Sequence, residues 1–425
     1  MIKEHDHKLL AGLDAIDWER LHHAYGSAHD VPDRLRLVCG DDEDARKNAW
    51  LDLFNTIFHQ GSRYTSSAAA VPFFARIAIA GPAHARPTAL TMLTRLAIDW
   101  HDQYSLPAGI DTATWRAAAA EHTPEKMAAW YQEQLYTETD PDRRRSYEEA
   151  RDWCLEGATP DDAASTLPSY DAVRAELSGL CPLLDDPDPD IRVRTAYLLA
   201  WFPEEGTRTV PEILAQLDRE SHAQATATML VAAGLVGDRS LVPHVRPYLA
   251  APEPLVRWGA ATALARLLTT GSRPGAGNEE IVTLVIEELT QAITTPPTVS
   301  HMPEAVFNDG DLGGYAARAL APLAAHAPRP VLPMIMDALS ANSAIAAKAV
   351  TAALQNALPD EGLPGTPLFT DLGESTQHIL RCVAARGPWD EYQTPVESCL
   401  RAGGLPDTRP SLHAYVQLRD PHLPS

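Results

Sequence analysis

Two helix signatures that recur every 32 or 33 residues constrain the fold of this 425-residue chain more than any other feature. The first is a Val-Pro start closed by a Leu. Val210, Pro211, Ile213 and Leu217 return as Val242, Pro243, Val245 and Leu249, 32 residues on. Leu332, Pro333, Ile335 and Leu339 carry the pattern a further 90 residues along, leaving room for an irregular unit between. Val31-Pro32 and Val71-Pro72 are expected to open similar apolar helices nearer the N-terminus. The second signature places Ile191-Arg192 before Thr195-Ala196 and Leu198-Leu199. It returns as Ala223-Gln224 before Ala227 and Met229-Leu230, then as Val256-Arg257 before Ala260-Ala261 and Ala263-Leu264. Apolar positions at i, i+4 and i+7 or i+8 have the helical period, not that of a strand. Pro suits a first helical turn, where its missing N–H would have no partner anyway. Asp185, Asp186, Asp188 and Asp190 suit a turn that ends one helix and caps the next. Strand signals are scarce, so the expected class is all-α. A chain this long exceeds one ordinary core, but a repeat array escapes that limit because each unit packs only on its neighbours.

Residues 184–199 and 252–264, each with a Pro-containing turn followed by Ile/Val-Arg, resemble HEAT repeats of the PBS-lyase HEAT-like kind. The segments 23–32 and 59–74 are similar to a set of bacterial HEAT-repeat proteins whose function is largely uncharacterised. The resemblance covers most of residues 20–360. It implies an α-solenoid of HEAT-like helical hairpins, less regular in the N-terminal half. The expected division is an irregular, aromatic-rich region over 1–165, regular repeats over 166–360 and a helical cap over 361–425. Six of the nine tryptophans fall in the first region. The stretches 270–278 and 294–311 read as insertions, which in repeat proteins map to loops, often on the binding face. The scaffold itself says little of function, because one such fold serves many roles.

Charge narrows the partners. The formal net charge is −22 at pH 7 and the only run of three basic residues, Arg143 to Arg145, is flanked by acidic ones. Duplex binding needs a basic surface to displace counterions from phosphate, so nucleic acid is disfavoured and a basic protein partner is favoured. The cysteines Cys39, Cys154, Cys181, Cys382 and Cys399 are scattered and odd in number, with no C-x-x-C spacing. They read as buried thiols of a cytoplasmic protein, with no metal site expected. No apolar run is long enough for a signal peptide or a membrane span.

Three places hold residues with chemistry in reach. His59-Gln60-Gly61 with Tyr64 is expected to end a helix, with Gly61 as its left-handed cap and His59 favoured by the negative end of the dipole. The same imidazole, amide and phenol would suit a polar ligand. His23 and Tyr25 form a second such place, beside His22, which at i+4 from Trp18 would pack on it along a helix. Asp99, Trp100, His101 and Tyr104 form the third and densest. A carboxylate beside an imidazole can orient a general base, though neighbours on a helix point in different directions. Asp186, Asp188 and Asp190 imitate the start of a calcium loop, but Ile191 and Tyr197 stand where that loop requires Gly and Glu. HExxH, GxSxG, Walker A and GxGxxG are all missing from the sequence. No His-Glu dipeptide occurs, unlike deoxyhypusine hydroxylase, a HEAT enzyme that holds iron through such pairs.

Two expectations follow. The first is a protein-binding scaffold or adaptor that uses its concave face to neutralise or assemble a partner, with no cofactor. The second is an enzyme or small-molecule binder with a pocket in the N-terminal half. Its binding residues would be His23, Tyr25, His59, Gln60, Tyr64, Trp100, His101 and Tyr104, and its catalytic candidates His59, Tyr64, Asp99 and His101.

Overall fold

In the computed structural model the chain is mostly helical. The structure describes residues 8–98, 106–155, 162–270, 279–299, 305–324, 354, 358, 366–386, 389 and 395–417. Two compact units separate, one comprising residues 1–105 with 109–216 and the other 106–108 with 217–425.

The first unit opens with short 3-10 turns, and Trp18 donates its indole N–H to the Leu13 carbonyl at 2.9 Å. Its helices are α1 (Val31–Leu37), α2 (Glu43–Thr56), α3 (Thr65–Ala80), α4 (Arg86–Ala97), α5 (Thr112–Glu121), α6 (Pro124–Thr137), α7 (Pro141–Leu155), α8 (Asp162–Leu180), α9 (Pro189–Leu199) and α10 (Gly206–Leu217), the last crossing the division at its final residue. Caps explain many of the starts. Asp42, Asp111 and Thr123 accept the N–H groups of Ala45, Thr114 and Lys126, which would otherwise be orphan donors. The core forms where α3 meets α4 and α8, burying Phe74, Ile77, Leu90, Met92, Tyr170, Val173 and Leu177. The Asp-rich turn before α9 acts as expected: Asp186 accepts the Asp188 N–H and Asp188 the Asp190 N–H, at 3.0 and 2.9 Å. Asp186 also holds Arg86, and Asp190 holds Arg194.

Two features depart from the sequence reading. Pro32 and Pro243 do lie in first turns, but Pro72 and Pro211 lie inside α3 and α10. Helix α3 begins upstream of its Pro because Ser67 Oγ accepts the Tyr64 N–H at 2.7 Å and donates to the Ile57 carbonyl at 2.6 Å. That bond nucleates a first turn at Thr65, and the alanines that follow extend it. The second departure is strand. β1 (His22–His23) pairs with β2 (Gly26–Ser27), and β3 (Phe58–His59) with β4 (Ser62–Arg63), each antiparallel across a two-residue turn.

An ion-pair network ties α5 and α8 to the turn before α10. Arg116 grips Asp171 at 2.7 and 3.0 Å and Glu204 at 2.8 Å with both carboxylate oxygens, and Arg174 adds bonds to Glu204 and Glu205. Beneath it lies Tyr170, fully buried, its hydroxyl donated to the Trp201 carbonyl at 3.1 Å and its ring stacked on Phe202. The Arg116 hydrogen bond holds the Glu204 carboxyl below its ordinary 4.5. A depressed carboxyl stabilises the fold above its unfolded pKa, and the contribution is lost as pH falls from 4.5 toward the depressed value. E204Q is therefore expected to melt below wild type at pH 7 and to lose less than wild type on acidification to about pH 3. Parallel melting curves across that range would refute this role.

In the second unit the helices are α11 (Ala223–Val236), α12 (Val242–Val245), α13 (Pro254–Thr269), α14 (Glu279–Thr294), α15 (Leu312–Ala324), α16 (Glu374–Arg386), α17 (Pro395–Ala402) and α18 (Arg409–Gln417). Helices α11 and α13, the second helices of consecutive sequence repeats, pack directly on one another. Glycine permits it: a Cβ built on Gly234 would lie 2.6 Å from Ala263 Cα, and one on Gly259 would lie 2.8 Å from Ala227 Cα. Further contacts run from α13 to α14 and α15, where the buried Trp258 donates its indole N–H to the Leu312 carbonyl at 3.1 Å. The Val-Pro unit at Leu332 to Leu339 lies outside the described residues, as do 271–278 of the expected insertion. Among the described residues, no helix is long and apolar enough to cross a membrane.

Candidate functional site

The two β-hairpins of the first unit bring together three residues that the sequence singled out: His23, Tyr25 and His59. Helix α2 ends at Thr56, so His59, Gln60 and Gly61 form a hairpin and not the helix end expected for them. Gln60 and Gly61 occupy its two turn positions, both at positive φ (50° and 91°). Two adjacent left-handed residues define the turn whose twist matches paired strands, which is why glycine is needed at the second position. The part of the expectation that survives is electrostatic, since His59 Nδ1 lies 3.1 Å from the Asn55 carbonyl in the last turn of α2.

The first hairpin is tied to the helices on either side of the second. The Ala24 N–H donates to the Thr56 carbonyl at 3.0 Å, and the His22 N–H to Thr65 Oγ1 at 2.8 Å. Beneath them Arg63, only 3% exposed, donates to the carbonyls of Gly61, Leu96 and Ala97, with its guanidinium over the Phe58 ring. It thereby fastens β4 to the carbonyl end of α4. Trp18 is buried near Phe73 while His22 sits exposed on β1, so the two do not share a helix as their spacing suggested.

Hydrogen bonding decides what each imidazole can do. His23 Nδ1 accepts the Tyr25 N–H at 3.0 Å, so Nε2 carries the proton and donates to Asp30 at 3.0 Å. Both nitrogens are used and the ring is buried, so this Asp-His pair shapes the β1–β2 turn and cannot relay a proton. His59 is different. With Nδ1–H donated to Asn55, Nε2 keeps its lone pair and has no partner among the described residues. The exposed Tyr25 ring meets His59 edge to face at 5.3 Å, its hydroxyl 3.4 Å from Nδ1. Gln60 is exposed on the turn, and Tyr64 caps α3 through its backbone. No nucleophile stands within hydrogen-bond reach of the free nitrogen among the described residues. The arrangement offers one acceptor, one hydroxyl and two rings, which suits recognition better than proton transfer. Asp99, Trp100, His101 and Tyr104 lie outside the described residues. Among the described residues no three His, Cys, Asp or Glu side chains gather to hold a metal.

A second surface went unread in the sequence. Helices α6 and α7 pack on each other, with Arg144 donating to the Leu135 carbonyl and Arg151 to Gln132 Oε1. Trp130, Tyr131 and Tyr147 form a ring cluster with centroids 5.0 to 6.2 Å apart. Around it Trp130 is 45% exposed, Tyr136 80%, Trp153 48% and Leu155 69%. An exposed Leu or Tyr alone needs no explanation, but two half-exposed tryptophans on one helix pair are unusual for surface kept in water. The signal was present as the tryptophan count of this region, without the periodicity that would have separated core rings from surface ones.

Neither a scan against protein-family models nor a search of curated proteins gives a match to this chain.

Proposed function

We propose that this chain is a protein-binding scaffold, built as an α-solenoid of HEAT-like hairpins, whose contact surface includes the α6–α7 pair. The observation that carries the reading is the exposed Trp130, Tyr136, Trp153 and Leu155 on that pair. Tryptophan and tyrosine dominate interface energetics because they bury large area at small entropic cost. The net charge of −22 favours a basic partner by long-range attraction, which salt would weaken. The sequence repeats support the solenoid, and cytoplasmic location follows from the same reading of its cysteines.

The test is affinity capture from the native host by the tagged full chain, with two variants alongside. A partner held by wild type in stoichiometric amount is expected to be retained by H59A and to weaken at least about tenfold with W130A/W153A, each lost anchor being worth ~1–2 kcal/mol or more. Melting curves establish that the double variant folds. Equal capture by W130A/W153A would overturn the assignment of this surface.

The free His59 Nε2, with the Tyr25 hydroxyl 3.4 Å from Nδ1 of the same ring, favours a second reading, a polar small-molecule site at the two β-hairpins. Under that reading H59A would be the variant that loses binding.

A further inference from the structure

The second unit carries an open groove of about 360 Å3, lined by Pro243, Arg246, Pro247, Leu249, Ala250 and Leu284. One wall is α12 with the 3-10 turn that follows it, Arg246–Ala250, and the other is α14. The lining is apolar except for Arg246. Leu284 is 39% exposed while its neighbours Val285 and Ile286 are buried, and Pro243, Pro247 and Ala250 are exposed as well. Single apolar residues on a surface need no explanation, but a contiguous set lining one groove does.

Ion pairs fix the walls before anything binds. Arg246 meets Glu280 at 3.2 Å, and Arg257 meets Glu288 at 3.1 Å. Arg257 also donates to the Ala251 and Pro252 carbonyls, both at 3.0 Å, which ties the residues just past Ala250 to α14. Tyr248, between the lining residues, is anchored away from the groove by its hydroxyl, donated to the Leu217 carbonyl at 3.2 Å. Glu280 and Glu288 are eight residues apart on α14. The two clamps therefore stand about 12 Å apart along that helix, with Leu284 midway.

We propose that this groove docks a basic amphipathic helix of a partner protein. The length suits such a helix, because apolar side chains at i, i+4 and i+7 span about 10.5 Å and fit between the clamps. The α12 wall gives a strand nothing to pair with. Pro243 and Pro247 have no N–H, and that of Arg246 is bonded to the Val242 carbonyl. Charge selects a basic segment. Glu280 neutralises Arg246, whereas Glu279 and Glu287 on α14 and Glu253 beyond Ala251 are exposed and have no ion pair among the described residues. Glu287 lies one turn from Leu284, on the same side of α14. Lysines or arginines beside an apolar stripe would meet these carboxylates, and the net charge of −22 would draw the segment in. The groove does not involve the α6–α7 pair, so failure of either surface leaves the other standing.

The probe is a fluorescein-labelled, alanine-based helical peptide with leucines at i, i+4 and i+7 and lysines beside them, followed by anisotropy against the full chain. Three companion peptides change the leucines to serine, change the lysines to glutamate, or reorder the same residues so that no stripe forms. The lysine–leucine peptide is expected to bind saturably on the order of tens of micromolar, as one short groove allows. Each companion should bind at least about fivefold more weakly. L284S removes apolar floor and A250W fills the groove, both at exposed positions. Each is expected to weaken binding at least about fivefold while melting as wild type does. E287K should weaken it about threefold, and E19K, the same charge change in the first unit, should leave it unaltered. No saturable binding, equal binding of the glutamate or reordered peptide, or an E19K effect as large as that of E287K would each overturn the proposal. Wild-type affinity in folded A250W and L284S would do the same. So would self-association in sedimentation that A250W and L284S abolish, because the occupant would then be a second copy of the chain.

Discussion

Alanine in place of Gly259 is expected to lower the melting temperature of the second unit by roughly 5–10 °C. A Cβ there would sit 2.8 Å from both Ala227 Cα and its carbonyl oxygen, and 3.1 Å from Ala227 Cβ. These obstacles are backbone and a methyl group, so no side-chain rotation relieves them. Helices α11 and α13 must separate, and the apolar residues buried along both lose contact together. Overpacking of this kind costs about 1–3 kcal/mol, occasionally more, and 1 kcal/mol moves the melting point of a 150–250-residue domain by about 2–4 °C. Gly234→Ala meets Ala263 in the same way, and because the two sites share one interface their effects are not expected to add. Gly373→Ala provides the control, as nothing lies within 4 Å of its Cβ. Coincident melting of G259A, G373A and wild type would sink the close-packing account.

Replacing Arg63 by Met should destabilise the first unit by ~3–5 kcal/mol, taking the Gly61, Leu96 and Ala97 carbonyls as buried acceptors left without their donor at about 1–3 kcal/mol each, with partial recovery by water. Methionine keeps most of the apolar stem, so the effect isolates the guanidinium. Lysine should recover only part of the loss, because one compact ammonium cannot reach three carbonyls in a fork geometry. A urea midpoint measured for R63M and R63K checks the order wild type, Lys, Met. If R63K equals wild type, a point charge suffices and the fork is irrelevant.

How much of this was legible depends on the length scale of each signal. The 32–33-residue recurrence marked α10 and α12 as one series and α9, α11 and α13 as another, because each copy repeats the same apolar faces, and the Asp turn before α9 follows from local capping chemistry alone. Pro72 was misleading, since Val-Pro matched a helix start while the true start depended on Ser67 reaching the Ile57 carbonyl across a hairpin. The strands His22–His23 and Phe58–His59 are two residues each, too short to show a period of two. At the candidate site, the types of His23, Tyr25 and His59 were visible, but their roles were not. Which imidazole keeps a free nitrogen is set by Asp30, Asn55 and the Tyr25 N–H, partners chosen by the fold.

The α6–α7 pair has a consequence for how a partner would be held. Its helices are 14 and 15 residues long, a length at which isolated helices are marginal in water, and among the described residues they pack chiefly on each other. Such a segment can open and close without the remainder of its unit unfolding. A partner that covers its rings would then complete a fold as well as make a contact, so part of the interaction energy would go into ordering. Complexes of that kind are tuned by helix propensity far from the interface, where a single Ala-to-Gly exchange on the water-facing side shifts affinity without touching the partner.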